Sequence, residues 1–568
     1  MAGLNLLVFR EGRQAVSSEK LRSALLDQLS PELDDESALV ALLRAGELEC
    51  AVCDLEEDLC AQRQPFSALT DSLAESLLNP GCSIHKSNAL RVSIEQAVLP
   101  EKLIVSPPEG FAYYGLHPLA YSTILQRLAP LPSRIVVIGI RTIGTTLSAV
   151  CSAAARKAGI HAQRFTVRPA GHPYDRRTQF SREQSELVKQ EAAGGAAFLV
   201  VDEGPGLSGS SFLSVGEALE QAQVPRERIT FVCSHEPEVQ ALCAPGGPER
   251  WQKFRSIVAD SPARKPEEAQ IWIGGGEWRQ HLLPSKASWP GSWVSFERPK
   301  YLSASSAPKR RFFKFLGLGH YGENVFHLES RVADAGFGPP LRMESDGYAS
   351  YPLVAGRPMA ADDLSERVLA RIASYCAFRL QNFSVECCST DALQKMAEHN
   401  MSQLGLDVSV KLQVEKPVLV DGRMAPHEWL FTADNEMLKT DSGSHGDDHF
   451  FPGITDIAWD LAGAIVEWKM SQDQAEAFVE MYRRASGDNA MLRITEFIKA
   501  YTVFRAAYCM MAANAMRGTG EEARLAQAGA YYGNLLNLNT MSEVLQINIQ
   551  IPATPGGGVK PPAFIQLA

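Results

Sequence analysis

The pattern of apolar and polar positions changes character twice along the chain. Over residues 1–100 a short apolar start, "LNLLVF", gives way to helical spacing. "SEKLRSALLDQL" and "ALVALLRAGEL" carry apolar residues three and four apart, and Ser18 stands where an N-cap belongs. From residue 101 short β-branched runs alternate with helical stretches. "KLIVSPP", "RIVVIGI", "AAFLVVDEG" and "RITFVCSH" read as strands ending in turn residues. "TLSAVCSAAARKAG", closed by Gly159, and "SSFLSVGEALEQA" read as helices between them. This rhythm predicts an α/β domain over 101–261, with a parallel sheet and a ligand site at the strands' C-terminal ends.

Residues 262–310 are dense in Pro, Ser, Gly and Trp, which predicts a connector, part of which packs through its tryptophans. Residues 311–550 open with strand-like runs and end mostly helical, predicting an α+β domain with a helical C-terminal lobe. The last stretch, 551–568, "IPATPGGGVKPPAFIQLA", predicts a loose tail, and residues 1–100 an accessory α/β region. At 568 residues the chain exceeds a single core, in keeping with this division.

Composition narrows the partners. A net charge of -11 argues against nucleic acid and anionic membrane, because neutralising phosphates needs a basic surface. Small-molecule substrates are the expectation, and homo-oligomerisation stays open. No run reaches the roughly 18 apolar residues of a membrane span. "MAGLNLLVFREGRQAV" has no basic region ahead of its apolar run, and the eleven cysteines are scattered. A cytoplasmic protein is expected. Cys50, Cys53, Cys60 and Cys82 form the one metal-like spacing, but without a second paired set they read as core cysteines.

The first chemistry lies in "FLVVDEGPGLSGSS". A buried strand delivers Asp202 and Glu203 to the sheet edge, and a turn from Gly204 to Ser211 leads into a helix. Glycines let backbone approach an anion, and the helix N-terminus favours phosphate. The acids suit sugar hydroxyls or a hydrated metal. A phosphorylated ribose satisfies both halves.

These residues resemble the phosphoribosyl-diphosphate (PRPP) motif of type I phosphoribosyltransferases. The resemblance implies PRPP as substrate with Mg²⁺. Asp202 and Glu203 would face the ribose, and Gly206, Ser208, Gly209, Ser210 and Ser211 would hold the 5′-phosphate. "VVIGIRTIGTTLSAV" is placed like the family's diphosphate loop, implying roles for Gly139, Arg141, Thr142 and Gly144. "RFTVRPAGHPYDRRTQF" is placed like its hood loop, with Arg168, His172, Arg176 and Arg177 as contacts. The interval from Asp202 to Gly209 is one residue longer than the family's usual spacing. Either the loop holds an extra residue, or Glu203 takes the first acid's place. Tyr113, Tyr114 and His117 read as aromatic core or as an acceptor pocket.

The second chemistry begins at "RRFFKFLGLGHYGENVFHLESRVADAGFGPPL". A strand carries Lys314, and a helix carries Glu329. A strand lysine held by a helix glutamate aims an ammonium at nucleotide phosphates. With "GYASYPLVAGRPM", "LKTD" and "TDIAWDLAG", the order resembles the aminoglycoside phosphotransferase and choline kinase family. The resemblance implies ATP, a metal held by Asp441, and supporting acids Asp456 and Asp460. The family's "HGDLHPGN" loop is replaced by "DGRMAPHEWL", which sets Arg423 at the base and Glu428 at the second metal ligand. Arginine accepts no proton near neutral pH, so Asp421 serves as base only if the loop slips. His445, Asp447, Asp448 and His449 crowd the same region as further Mg²⁺ or Mn²⁺ ligands or as a solvated loop.

These features lead to a phosphoribosyltransferase acting on an unidentified acceptor, fused to a kinase-like domain acting on a related small molecule. The alternative is a sensor of PRPP or nucleotide with a pseudokinase domain.

Overall fold

The computed structural model describes residues 4–29, 34–55, 63–79, 87–259, 264–283, 285–307, 309–406, 409–443, 445 and 448–537. Cys60, Cys82, Asp447 and the expected tail at 551–568 lie outside the described residues. The chain forms two compact units. One comprises Gly12–Lys265 with Gly317–Gly322; the other takes the residues up to Glu11, Pro266–Leu316 and the chain from Glu323.

The first unit is built on a five-stranded parallel sheet. Its strands are β1 (Arg134–Ile140), β2 (His161–Val167), β3 (Ala197–Val201), β4 (Ile229–Cys233) and β5 (Arg255–Val258), in the order β2-β1-β3-β4-β5. β1 is an interior strand, and Ile135 to Ile140 are all buried, as strands covered on both faces must be. "KLIV" does not join this sheet. Lys102–Val105 pairs antiparallel with Gln14–Ser17, with Val16 opposite Leu103. The reason lies in its alternation: Leu103 is buried while Ile104 is 51% exposed, so only one face is covered.

Helix α1 (Asp35–Cys53) lies in the stretch expected as an accessory region, yet it packs closely on α2 (Gly144–Lys157), which follows β1. A Cβ added at Gly46 would sit 2.0 Å from Thr146 Oγ1, so the small residue sets the approach. Helix α3 (Ser210–Gln221) follows β3 and buries Phe212, Leu213, Val215 and Leu219 against Val136, Val200 and Phe231.

The second unit holds an antiparallel five-stranded sheet. β6 (Ile271–Trp272), β7 (Lys300–Leu302), β8 (Arg311–Phe315), β9 (Arg342–Met343) and β10 (Tyr348–Pro352) run in the order β6-β7-β8-β10-β9. The expected connector is therefore part of this unit, supplying two strands. It is further tied down by Arg279, whose guanidinium bonds both carboxylate oxygens of Glu521 at 2.8 and 2.6 Å. Its Pro and Gly residues break helices without preventing packing. Helix α4 (His320–Asp334) follows β8. Glu366–Phe383, Ala458–Glu467, Gln472–Ser486 and Ile494–Ala515 supply a core that includes Ile372, Trp459, Phe478 and Phe497. Among the described residues no helix is long and apolar enough to cross a membrane.

Candidate functional site

In the first unit the chain leaves β1 for β2 on one side and returns to β3 on the other. A doubly wound sheet opens a crevice at the C-terminal ends of two such strands. Arg141 to Gly144 follow β1 there, and Asp202 to Gly209 follow β3. The backbones meet closely: a Cβ on Gly139 would lie 2.3 Å from Gly144 O, and one on Gly144 would lie 2.5 Å from Val201 O. Gly206 and Gly209 both have positive φ, and Gly209 (φ 67°) caps α3.

Asp202 Oδ1 accepts the Glu203 N–H at 2.9 Å, and Glu203 Oε2 accepts the Gly110 N–H at 2.9 Å. Burial pushes Asp202 up to about 7, although Arg168 and Arg176 pull it back in part. Burial, with Glu109 and Asp202 nearby, pushes Glu203 up to about 8.

The expected anion contacts are gathered, but each already has a protein partner. Arg168 bonds Asp54 through Nε and Nη2 at 3.1 and 2.5 Å, and Arg141 O at 2.9 Å through Nη1. Its Nη1 also lies 3.3 Å from Thr142 Oγ1. Arg141 pairs with Asp54 at 3.1 Å and bonds Cys53 O at 2.8 Å. Ser208 and Ser210 hydroxyls both donate to Pro173 O, at 2.9 and 2.6 Å. Pro173 sits in the hairpin of Ala170–His172 and Asp175–Arg177, in which Arg176 bonds Pro169 O at 3.1 Å. Ser211 lies in the first turn of α3, where its carbonyl accepts the Ser214 hydroxyl at 2.9 Å. His172 and Arg177 are exposed, while Tyr113 and His117 are buried.

Asp54 was not legible as a site residue. It ends α1 in a stretch whose cysteines read as core, and Cys50 and Cys53 are in fact buried or half-buried.

In the second unit Lys314 on β8 meets Glu329 on α4 at 3.1 Å, both side chains being at most 5% exposed. Lys314 Nζ also bonds Asp441, and Tyr351 Oη donates to the other Glu329 oxygen. Asp441 follows the strand Met437–Lys439 in the left-handed conformation (φ 55°), which Asp enters more readily than most non-glycine residues. His445 Nε2 lies 3.0 Å from Asp441 Oδ2, and its Nδ1 lies 3.6 Å from Asp448. Burial opposes ionisation of Asp441, but Lys314 and His445 hold its carboxyl well below the usual range. Burial likewise opposes Glu428, which Lys439 and His445 hold low.

Glu428, Asp441 and His445 offer ligand atoms that all lie within 4.8 Å of one another. Two ionised carboxylates and an imidazole fit Mg²⁺ or Mn²⁺, and the imidazole tilts the set toward Mn²⁺. His449 instead joins the aromatic cluster of Phe296 and Phe450.

Asp421 is the base expected if the loop slips. Its side chain is fully enclosed, accepting from Tyr375 Oη and the Arg423 N–H, with Lys439 Nζ at 3.3 Å and Arg379 at 3.8 Å. Both of its carboxylate oxygens are thus engaged within the protein. Asp460 accepts the N–H groups of Asp421 and Gly422, at 2.8 and 2.9 Å. Asp456 accepts those of Glu415, Lys416 and Ala458, each at 2.8 Å. Both acids hold the loop together.

No protein-family model matches the sequence, and no curated protein does. Solved structures similar to the chain include choline kinase LicA from Streptococcus pneumoniae, at 11% identity and a TM-score of 0.28 over 41% of this chain and 89% of that one. A choline/ethanolamine kinase family protein from Mesorhizobium loti gives 15% identity and a TM-score of 0.32 over 48% and 98%. Macrolide 2′-phosphotransferase from Brachybacterium faecium gives 15% and 0.28 over 45% and 95%.

Proposed function

We propose that the second unit is a nucleotide-dependent phosphotransferase acting on a small molecule with ATP and a divalent cation. The observation that carries this reading is the buried Lys314–Glu329 pair with Asp441 on the same ammonium, beside the Glu428–Asp441–His445 set. Lys314 would meet the nucleotide phosphates, and Asp441 and Glu428 would hold the metal. An acceptor hydroxyl oxygen bonds the γ-phosphorus as the bond to the β,γ-bridging oxygen breaks. ADP leaves, and the hydroxyl proton passes to water. No dedicated base is required, because positioning and electrostatics dominate such transfers.

The test is calorimetric titration of a non-hydrolysable ATP analogue with Mg²⁺ or Mn²⁺, beside Asp441→Asn protein. Micromolar binding that Asp441→Asn abolishes supports the reading; equal binding to both proteins sinks it.

A second reading concerns the first unit, which would bind PRPP and transfer its phosphoribosyl group. What favours it is Asp202 and Glu203 at the switch point, followed by the Gly209-capped turn of α3. An acceptor nucleophile would bond the ribose C1 as diphosphate leaves with Mg²⁺. Diphosphate release from PRPP, screened over acceptors and lost in Asp202→Asn protein, is its test. With both readings the chain is bifunctional. Without turnover in either half, a sensor role is the one that stands.

A further inference from the structure

The residue standing where the kinase resemblance would place a proton acceptor is Arg423, and its surroundings bear on the acceptor molecule. Arg423 is half-buried, with its guanidinium 5.7 Å from the Tyr508 ring. Arg505 approaches the same ring at 5.3 Å. Two guanidiniums thus flank one aromatic ring, while His427, stacked on Trp278 at 6.2 Å between centroids, lies close by.

Every acid near this group is engaged elsewhere. Glu467 is held by Arg505 at 3.2 Å and by Tyr501 and Tyr532 hydroxyls at 2.7 and 2.9 Å. Glu428 is paired with Lys439 at 3.2 Å, and Asp448 takes the Phe450 N–H at 2.8 Å beside His445. Among the described residues no carboxylate lies within ion-pair distance of Arg423. A half-buried cation costs free energy unless an anion meets it. The charge also sits beside Glu428, one of the metal ligands inferred above.

We infer that Arg423, with Arg505 behind it, is a specificity-determining residue that selects an acceptor carrying a carboxylate or phosphate near its reactive hydroxyl. This rests on the phosphotransferase reading for the word acceptor, but anion binding at Arg423 can be tested without turnover. A guanidinium fork meets a carboxylate or phosphate with two charge-assisted hydrogen bonds, and it repels a cationic amine.

The experiment uses the full chain and three small probes matched in their hydroxyl but not their charge: glycerate, glycerol and choline. Each is titrated calorimetrically, with and without the Mg²⁺-bound ATP analogue, and then assayed for ADP formation. Glycerate should bind about tenfold or more tightly than either other probe. Arg423→Gln should erase that preference, and Arg423→Lys should restore part of it. An Arg423→Gln protein that misfolds leaves the wild-type ranking and the lysine variant to decide.

Choline or glycerol bound ahead of glycerate, no binding of any probe, or a preference that survives Arg423→Gln would overturn the inference. If glycerate binds but the nucleotide does not, the anion site stands and the phosphotransferase reading falls.

Discussion

Lys314 and Glu329, fifteen residues apart in sequence, meet at 3.1 Å between a strand and a helix, and Tyr351 locks the glutamate from behind. The glutamate therefore holds the lysine ammonium in place. Removing its charge while keeping its shape should loosen the ammonium. Glu329→Gln is expected to weaken nucleotide binding severalfold and to lower the melting temperature. Breaking one partner out of a buried pair costs about 3–5 kcal/mol when nothing replaces it, and here Asp441 still holds Lys314. Equilibrium titration together with thermal melting checks both effects.

Asp421 belongs to the scaffold. It joins Tyr375, Lys439, Arg379 and the Arg423 N–H, with Asp460 bonded to its own N–H. Asp421→Ala should destabilise the second unit by about 3–5 kcal/mol, because Lys439 and Arg379 lose a buried counter-charge. Asp421→Asn should lose less and retain measurable nucleotide binding. A stable Asp421→Ala protein devoid only of activity would return Asp421 to the role of base.

The acids of the first unit set a pH dependence. Burial raises Asp202 to about 7 and Glu203 to about 8 in the folded chain, above the ordinary values of about 4. Their neutral forms are favoured by folding, so their contribution to stability is present at acid pH and fades as pH rises toward 8. A ligand that needs carboxylates reverses the trend. Affinity for Mg²⁺-PRPP should rise from pH 6 to pH 8.5, with proton release on binding near pH 7. Titration in buffers of different ionisation enthalpy measures that release, and Asp202→Asn should reduce it.

Gly209 tests the phosphate turn. Its φ is 67°, and an added Cβ would lie 3.3 Å from Leu242 and Trp251, which leaves no easy place for a side chain. Gly209→Ala should cost about 1–2 kcal/mol. It should also abolish PRPP binding if α3 presents its first turn to the phosphate, which melting and titration can separate.

Much of this was legible in the chain. "RIVVIGI" and "AAFLVV" are continuous apolar runs, and such runs go to strands buried on both faces. Lys314 and Glu329 could be singled out because a strand–helix order constrains where their side chains point, whereas Asp441 came from the resemblance of "LKTD" to the kinase family's metal-binding strand. What escaped were contacts made across long sequence intervals. Asp54 reaches Arg141 and Arg168 from another helix, and no local pattern marks it. His445, by contrast, was named with Asp447, Asp448 and His449 as a metal ligand or part of a solvated loop, and it lies 3.0 Å from Asp441. In the connector Pro and Gly report on backbone freedom and the tryptophans on packing, and Trp293, Tyr301 and Leu302 are buried.

The metal set offers a separate check. Mn²⁺ titration followed by electron paramagnetic resonance should show one bound ion per chain with wild-type protein. His445→Ala should weaken it about tenfold, and Asp441→Asn should remove it. Unchanged Mn²⁺ affinity in both variants would mean that the three residues do not share an ion.

The most direct measurement is nucleotide binding by wild-type and Lys314→Met protein, titrated with Mg²⁺-bound ATP analogue under identical conditions. The expected result is saturable binding by the wild type and a loss of about tenfold or more in the variant, with its fold intact by circular dichroism. Binding that is absent from the wild type, or that is the same without the lysine, would contradict the phosphotransferase reading at its centre.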